Sequence, residues 1–569
     1  MSHNNHTENL PKVALVGLHA GYSHSSLALQ SIAAYADSWS CPHQMQLFET
    51  LVNTSHQALI EQLVDYEPQI LGISTYLWNI AASIRLTRLI KQLLPDVRIL
   101  FGGPEAGARG VELLSAISEL DFVIAGEGEE AFSDLMRVLF QSDGTYEAVS
   151  GLVYRDQGLI RENPIRLLPV EKIPATLSNG LFEGGKSLIY WETSRGCPYQ
   201  CTFCTSATDR LRAFPMERVE ADLKVLEQLS NKTIKLLDRS FHLGKQRTTE
   251  LLKRFADTPP GLRFHLELNP DRISEQAMTI FSQADAGKFQ FEIGLQTLDV
   301  DVLSRIDRRM DVTKALENIR QLIEMRRHPV HLDLIVGLPG ESSIQCASSL
   351  DQTFKLSPDH LQLGILKLLP GTPLHTQARH LGYRWDTQPP YEVLANPSLG
   401  FKEIAQFKRY AELLERLYNS GLMRNTLAGL VRSCFSDSLS FCLDRLLEVS
   451  GHGLARDNLQ PDSLFGYLCD FIAPYLERSP NLEEWLLWDY SQFSLVNGKT
   501  PRWIADRLVE SEQFTVQGSR RRLPILGLTA EGALLINRQS GQNFAAGHYA
   551  LWPRQHKKGK PVEIIQLDA

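Results

Sequence analysis

The sequence predicts an α/β protein in which two parallel-sheet regions are followed by a mainly helical one. Three observations predict it. Strand-like apolar runs alternate with helical patterns from about residue 11 to 140, the same rhythm resumes from about 187 to 375, and helical periodicity takes over beyond. Alternating strands and helices imply parallel strands with right-handed crossovers. The first region therefore reads as a doubly wound, Rossmann-like sheet and the second, with six βα units, as a partial (β/α)6 barrel.

In the first region, strands are expected at 12–18, 45–50, 69–75, 97–103 and 121–128. Helical patterns fall between them at 25–36, 56–66 and 79–94. In 56–66, Leu59, Leu63 and Val64 share one helix face. Ligands of doubly wound sheets sit beyond the carboxyl ends of the strands. The loops there, 19–25, 74–79, 102–107 and 126–130, are rich in Gly, Ser, Thr and aromatic residues, as a binding site would be.

Residues 143–186 read as a connector, with strand character around a Gln-Gly turn and Pro and Gly breaks after it. Strands of the barrel are expected at 187–194, 234–240, 263–269, 290–296, 331–338 and 360–369, with chemistry at their C-terminal ends. Beyond 375, the stretch 401–421 is a strong amphipathic helix ending in Gly. Further helical segments run to about 485, and β-like pieces such as 523–537 close the chain. This gives domains at 10–142, 187–375 and 376–569 around the connector.

A chain of 569 residues is too long for one core, and ~150 residues per domain predicts three or four. The net charge of −8 argues against nucleic acid as a partner, because phosphate-backbone binding needs a basic surface. No apolar run reaches the length of a membrane span, and the polar start lacks a secretory signal pattern, so a cytoplasmic location is expected.

Of eight cysteines, three cluster: Cys197, Cys201 and Cys204, in the pattern C-x3-C-x2-C just after a strand. Cubane iron–sulfur clusters usually take four thiolates, so three would leave one iron open to a substrate ligand. The competing reading is structural zinc completed by a distant histidine such as His242 or His265, although structural zinc prefers two close ligand pairs.

With Phe203 just before its third cysteine, the motif resembles the signature of the radical SAM superfamily. The segments DRSF (238–241), LELNPD (266–271), GLQT (294–297), GLPGE (337–341) and LKLLPGTPL (366–374) look like the corresponding strand-end segments of that superfamily. The resemblance implies a [4Fe–4S] cluster on Cys197, Cys201 and Cys204, with S-adenosylmethionine (SAM) chelating the fourth iron. It implies SAM contacts from Phe203, Asp238, Glu267, Gln296 and Leu366. Asp238 has a competing reading as a helix cap.

With that motif behind it, the first region resembles the cobalamin-binding domain that precedes the radical SAM core in the class B-type methyltransferase-like subgroup. The carrying segments are ISTYLWN (73–79), FGGPEAG (101–107) and AGEGEEAF (125–132). The implied cobalamin contacts are Ser74, Thr75, Tyr76, Trp78, Asn79, Gly102, Gly103, Pro104, Glu105, Glu127, Gly128 and Glu129, together with Tyr22, Ser23 and His24 of the first loop. The hydroxyls of Ser74 and Thr75 would bond corrin amides, and Gly102 and Gly103 would admit close approach of a flat ligand. The D-x-H-x-x-G motif that supplies a lower axial histidine is absent, which places Tyr22 or His24 near the lower face of the cobalt.

The function implied is reductive cleavage of SAM and methylation of an unactivated carbon through methylcobalamin, with a flavodoxin or ferredoxin as electron donor. The alternative is a cobalamin-dependent radical rearrangement or cyclisation without methyl transfer. More remote is a cobalamin or redox sensor. A methylthiotransferase is disfavoured because, before the core, the sequence has Cys41 alone.

Overall fold

In a computed structural model, the residues described are 10–37, 43–177, 185–208, 210–241, 244–450, 461–494, 525–528, 547–552 and 563–567. They divide into two compact units, and the boundary passes through one strand, Phe289–Gln296. The first unit comprises the chain up to Phe291 with residues 306–309 and 367–393; the second holds the remainder.

The first sheet is built from β1 (Lys12–His19), β2 (Gln44–Leu51), β3 (Ile70–Ser74), β4 (Arg98–Gly102), β5 (Phe122–Ile124), β6 (Leu152–Asp156) and β7 (Leu159–Glu162). Its order is β2-β1-β3-β4-β5-β6-β7, parallel through β5 and antiparallel thereafter. The strand order reverses between β1 and β3, so the ligand crevice of this fold lies at their carboxyl ends.

Alternation along β1 shows how the sheet is covered on both faces. Ala14, Val16 and Leu18 join one core with Leu59, Leu63, Leu86 and Ile90 of the helices Gln57–Tyr66 and Ile80–Leu93. Val13 and Leu15 join the other core, with Leu29 and Ala33 of Leu27–Asp37 and Phe132 and Leu135 of Gly128–Gln141. Fully burying each of the Val, Leu, Ile and Phe side chains among them is worth about 2 kcal/mol, so both faces of the sheet contribute to stability.

The doubly wound sheet expected from the sequence is thus present, with one addition. The segment expected as part of a connector supplies β6 and β7, which extend the first sheet. Gln157 and Gly158 both have positive φ (48° and 82°), the requirement of a tight type I′ hairpin turn.

The second sheet contains β8 (Leu188–Trp191), β11 (Lys232–Leu236), β12 (Leu262–Glu267), β13 (Phe289–Gln296), β14 (Val330–Val336) and β15 (His360–Ile365), in the order β15-β14-β13-β12-β11-β8. The six strands expected for a partial barrel are all there. Between β8 and β11 lie the two-residue strands β9 (Ser194–Arg195) and β10 (Arg212–Ala213), paired antiparallel.

In the second unit, the helix expected at 401–421 is α-helical over Phe401–Leu413 and continues as a wider turn over Leu414–Asn419. Among the described residues four more α-helices follow, from Arg424–Cys434 to Asn481–Ser494. Asp489 of the last one accepts from the Asn425 side-chain amide (2.6 Å) and from the Thr426 backbone N–H and hydroxyl (both 2.8 Å), capping Arg424–Cys434 from another helix. Of the β-like pieces expected at 523–537, Ile525–Leu528 is a strand and 529–537 lies outside the described residues. No helix among the described residues is long and apolar enough to cross a membrane.

Candidate functional site

The three clustered cysteines lie on the loop between β9 and β10, in the first unit. The loop is held from several sides. Thr202 donates its N–H to Ile306 O (3.0 Å) and accepts at its carbonyl from Leu374 N–H (2.9 Å). At its start, Asp238 is buried, accepting from the Thr193 N–H (2.8 Å) and from the Thr193 and Ser194 hydroxyls (both 2.6 Å). Burial outweighs those donors and lifts the Asp238 carboxyl to about 6. Asp238 thus fixes the strand that feeds the cysteine loop. It is not a helix cap, since the helix Lys245–Ala256 has Gly244 in that position.

Cys197, Cys201 and Cys204 are free thiols. Burial raises the Cys197 and Cys201 thiols, and the neighbouring cysteines raise them further. Arg308 opposes this, with Nη1 3.7 Å from Cys201 Sγ and Nη2 3.1 Å from Asn269 Oδ1. Three thiols within electrostatic reach of one another beside a guanidinium fit a cluster of net negative charge. Among the described residues no group of three His, Cys, Asp or Glu side chains is arranged to hold a single metal ion. A cubane binds each thiolate at a different iron, so the thiols need not converge on one point. His265, the described candidate of the zinc reading, lies within β12; His242 lies outside the described residues.

Phe203 is half-buried on the same loop, and Glu267 closes β12 at its carboxyl end. Gln296 and Leu366 belong to the second unit. Gln296 ends β13 with a positive φ of 69°, a conformation that non-glycine residues hold only where surroundings enforce it. Leu366 is buried, its N–H bonded to Val336 O (2.9 Å).

At the crevice of the first sheet, several expected cobalamin contacts turn out to be committed to protein partners. The Thr75 hydroxyl donates to Gly102 O (2.8 Å) and accepts from Ala106 N–H (3.2 Å). Asn79 accepts from Tyr76 N–H (2.7 Å) and donates to the carbonyls of Leu18 and Ser74 (both 3.0 Å). Glu105 is buried and paired with Arg109 (2.8 Å) and the Tyr391 hydroxyl. Gly103 has φ +100° and a Cβ there would stand 2.5 Å from Thr75 O, so its glycine answers to the turn itself; Gly102 has open space, with the nearest atom at 4.0 Å. Thr75 and Asn79 satisfy backbone groups and Glu105 an arginine and a tyrosine, which sequence cannot distinguish from ligand binding.

What stays available is largely aromatic. Trp78 is 48% exposed and stacked on Tyr76 (centroids 4.3 Å apart, planes at 10°). Tyr22 is 87% exposed, and Ser23 and Pro104 are accessible. His24 bonds the Tyr190 hydroxyl through Nδ1 and stacks on its ring. Burial and the nearby His19, Lys235 and Lys186 hold His24 below its usual pKa. Ser74 is buried. An exposed aromatic pair on the loop that follows β3 fits a large planar ligand.

Glu127, Gly128 and Glu129 begin Gly128–Gln141, but both glutamates turn towards arginines. Arg195 Nη2 lies 2.7 Å from Glu129 Oε1 and its Nη1 3.3 Å from Glu127 Oε1. Burial alone would raise the Glu129 carboxyl; Arg195 and the Ser31 hydroxyl (2.7 Å) hold it below its usual value. Arg195 and Arg308 carry no weight in the cysteine spacing and were not singled out by sequence.

Comparison with known families decides the identity of both regions. Residues 13–136 match the B12 binding domain and 191–351 the radical SAM superfamily. The chain is a B12-binding radical SAM protein. Residues 379–523 match a third family, a protein of unknown function (DUF4080). A radical SAM domain implies a [4Fe–4S] cluster and SAM, and a B12-binding domain implies cobalamin.

Among curated relatives of this radical SAM protein is the cobalamin-dependent radical SAM methyltransferase TokK of Streptomyces tokunonensis, 25% identical over 62% of this chain and 55% of the relative. Another is the 2-(S-pantetheinyl)-carbapenam-3-carboxylate methyltransferase of Streptantibioticus cattleyicolor, 26% identical over 57% and 50%. The chain spans about half the length of these relatives. Its fold is similar to the cobalamin-dependent SAM radical enzyme OxsB with aqua-cobalamin and SAM bound (TM-score 0.60, 16% identity, 85% of this chain and 84% of that one). It is also similar to the radical SAM methyltransferase TsrM from Kitasatospora setae (TM-score 0.55, 15% identity, 66% and 78%).

Proposed function

We propose that this radical SAM protein cleaves SAM reductively at a cluster held by Cys197, Cys201 and Cys204 and methylates an unactivated carbon with the help of cobalamin. When bound, the cluster supplies one electron to the sulfonium of SAM, and cobalamin carries the methyl group. The observation that carries the proposal is the anchored loop of three free thiols beside Arg308, in the same compact unit as the B12-binding domain.

The chain's own residues do the positioning. Asp238 fixes Thr193 and Ser194 at the entry to the cysteine loop. Arg308 offers a cation beside Cys201, suited to the carboxylate of SAM, and Glu267 offers an anion at a strand end, suited to its amine or ribose. The stacked Tyr76 and Trp78 would hold the corrin against an apolar face and keep water from it. Tyr22, Ser23 and His24 belong to the first loop of the same sheet end and would be the residues to hold cobalamin from that side. A flavodoxin or ferredoxin is the proposed reductant.

A radical reaction without methyl transfer is kept as a second reading by the anaerobic magnesium-protoporphyrin IX monomethyl ester cyclase of Synechocystis, a 28% identical relative over 26% of this chain. Mass spectrometry separates the two. Methyl transfer yields S-adenosylhomocysteine together with 5′-deoxyadenosine, whereas 5′-deoxyadenosine without S-adenosylhomocysteine would support the second reading.

A further inference from the structure

The cysteine loop grows from a ribbon of two two-residue strands, and its register sets Arg195 of β9 opposite Arg212 of β10. Like charges directly opposite across a strand pair destabilise it, and so short a ribbon has little stability of its own. Glu127 removes the conflict. Its Oε1 lies 3.3 Å from Arg195 Nη1 and 2.5 Å from Arg212 Nη2, and its Oε2 3.2 Å from Arg212 Nη1. Glu129 holds the far side of Arg195 at 2.7 Å.

Both glutamates follow β5 of the B12-binding domain, Glu127 at the end of its loop and Glu129 in the first turn of Gly128–Gln141. Glu127 stands in the cap position of Gly128–Gln141 yet makes no capping bond; its carboxylate is committed to the arginines. The base of the cysteine loop is therefore closed by an anion from the neighbouring domain. Anything that fixes residues 126–130 also fixes the ribbon from which Cys197 follows two residues after Arg195.

We propose that Glu127 is a positioning residue that couples the two cofactors: occupancy of the B12-binding domain and loading of the cluster strengthen each other through the Glu127 clamp on Arg195 and Arg212. The proposal rests on the cofactor assignment above. Linkage makes the coupling reciprocal, so a single ratio measures it.

The test uses the full chain, prepared anaerobically without SAM, as apoprotein and with the cluster reconstituted. Hydroxocobalamin is titrated into each form and its Kd read from the absorption change. The expected result is a Kd about fivefold or more lower for the cluster-loaded form, with Glu127→Gln bringing the ratio close to one while both forms still bind. A fold that merely needs Glu127 would weaken both forms alike and leave the ratio unchanged, which would overturn the proposal. Should Glu127→Gln not fold, the wild-type ratio and Glu129→Gln decide it, and a wild-type ratio of one overturns the coupling outright. Absence of any cobalamin binding would sink the cofactor assignment and the coupling together; tight but equal binding sinks the coupling alone.

Discussion

Arg195, two residues before the first cysteine of the motif, is ion-paired to Glu129 of the B12-binding domain at 2.7 Å, with both side chains largely buried. Glu192 completes the site, accepting from Arg195 Nη2 at 2.9 Å. A buried pair of this kind tolerates loss of one partner badly, because the other charge is left without compensation.

Replacing Arg195 by methionine leaves the buried Glu129 with the Ser31 hydroxyl but without its cation, while Glu127 keeps Arg212, at a cost of about 3 kcal/mol or more. The expected outcome is a lower thermal midpoint and poor cluster reconstitution. Arg195→Lys keeps the charge but loses the fork that serves three carboxylates, so it is expected to recover part of the loss. Iron and sulfide content with a thermal scan check both.

Gly103 and Gly102 separate a turn requirement from a ligand requirement. Gly103→Ala drives a Cβ against Thr75 O at a positive φ and is expected to lower thermal stability whether or not cobalamin is present. Gly102→Ala meets open space, so stability is expected to stay while cobalamin affinity falls. Equal affinity in Gly102→Ala and wild type would place the corrin away from this strand end.

The first loop is expected to touch the cobalt's lower face. Absorption spectra of bound cobalamin should differ from wild type in Tyr22→Phe or in His24→Ala. Tyr190→Phe should also shift the spectrum by releasing the ring of His24. Unchanged spectra in Tyr22→Phe and His24→Ala together would remove this loop from the cobalt environment.

Glu341 gives the second unit a pH signature. It is buried against Thr297, whose hydroxyl it accepts at 2.5 Å, and burial lifts its carboxyl to about 7. The folded state then holds a proton that the unfolded chain releases near its ordinary value of 4.5. Its contribution to stability is complete below pH 4.5 and is lost as pH rises towards 7. Glu341→Gln is expected to flatten that slope, read as the thermal midpoint between pH 4.5 and 8.

Much of this was legible in the sequence. The βα rhythm placed the strands of both sheets because buried parallel strands write continuous apolar runs. It could not place β6 and β7, since a hairpin's turn is local but the edge it pairs with is not. At the crevice, Thr75, Asn79 and Glu105 carry the residue types of a binding site, yet the structure uses them to satisfy backbone and arginine. Arg195 and Arg308 escaped notice for the converse reason. Their importance comes from partners more than 60 residues away in sequence, Glu129 and Cys201, and no spacing rule records that.

The most direct test of the central claim is 5′-deoxyadenosine formation by the reconstituted, reduced chain with SAM, measured in parallel for wild type and Cys201→Ala. The account predicts 5′-deoxyadenosine from the wild type and none above the protein-free control from the variant. Undiminished 5′-deoxyadenosine from Cys201→Ala would contradict it.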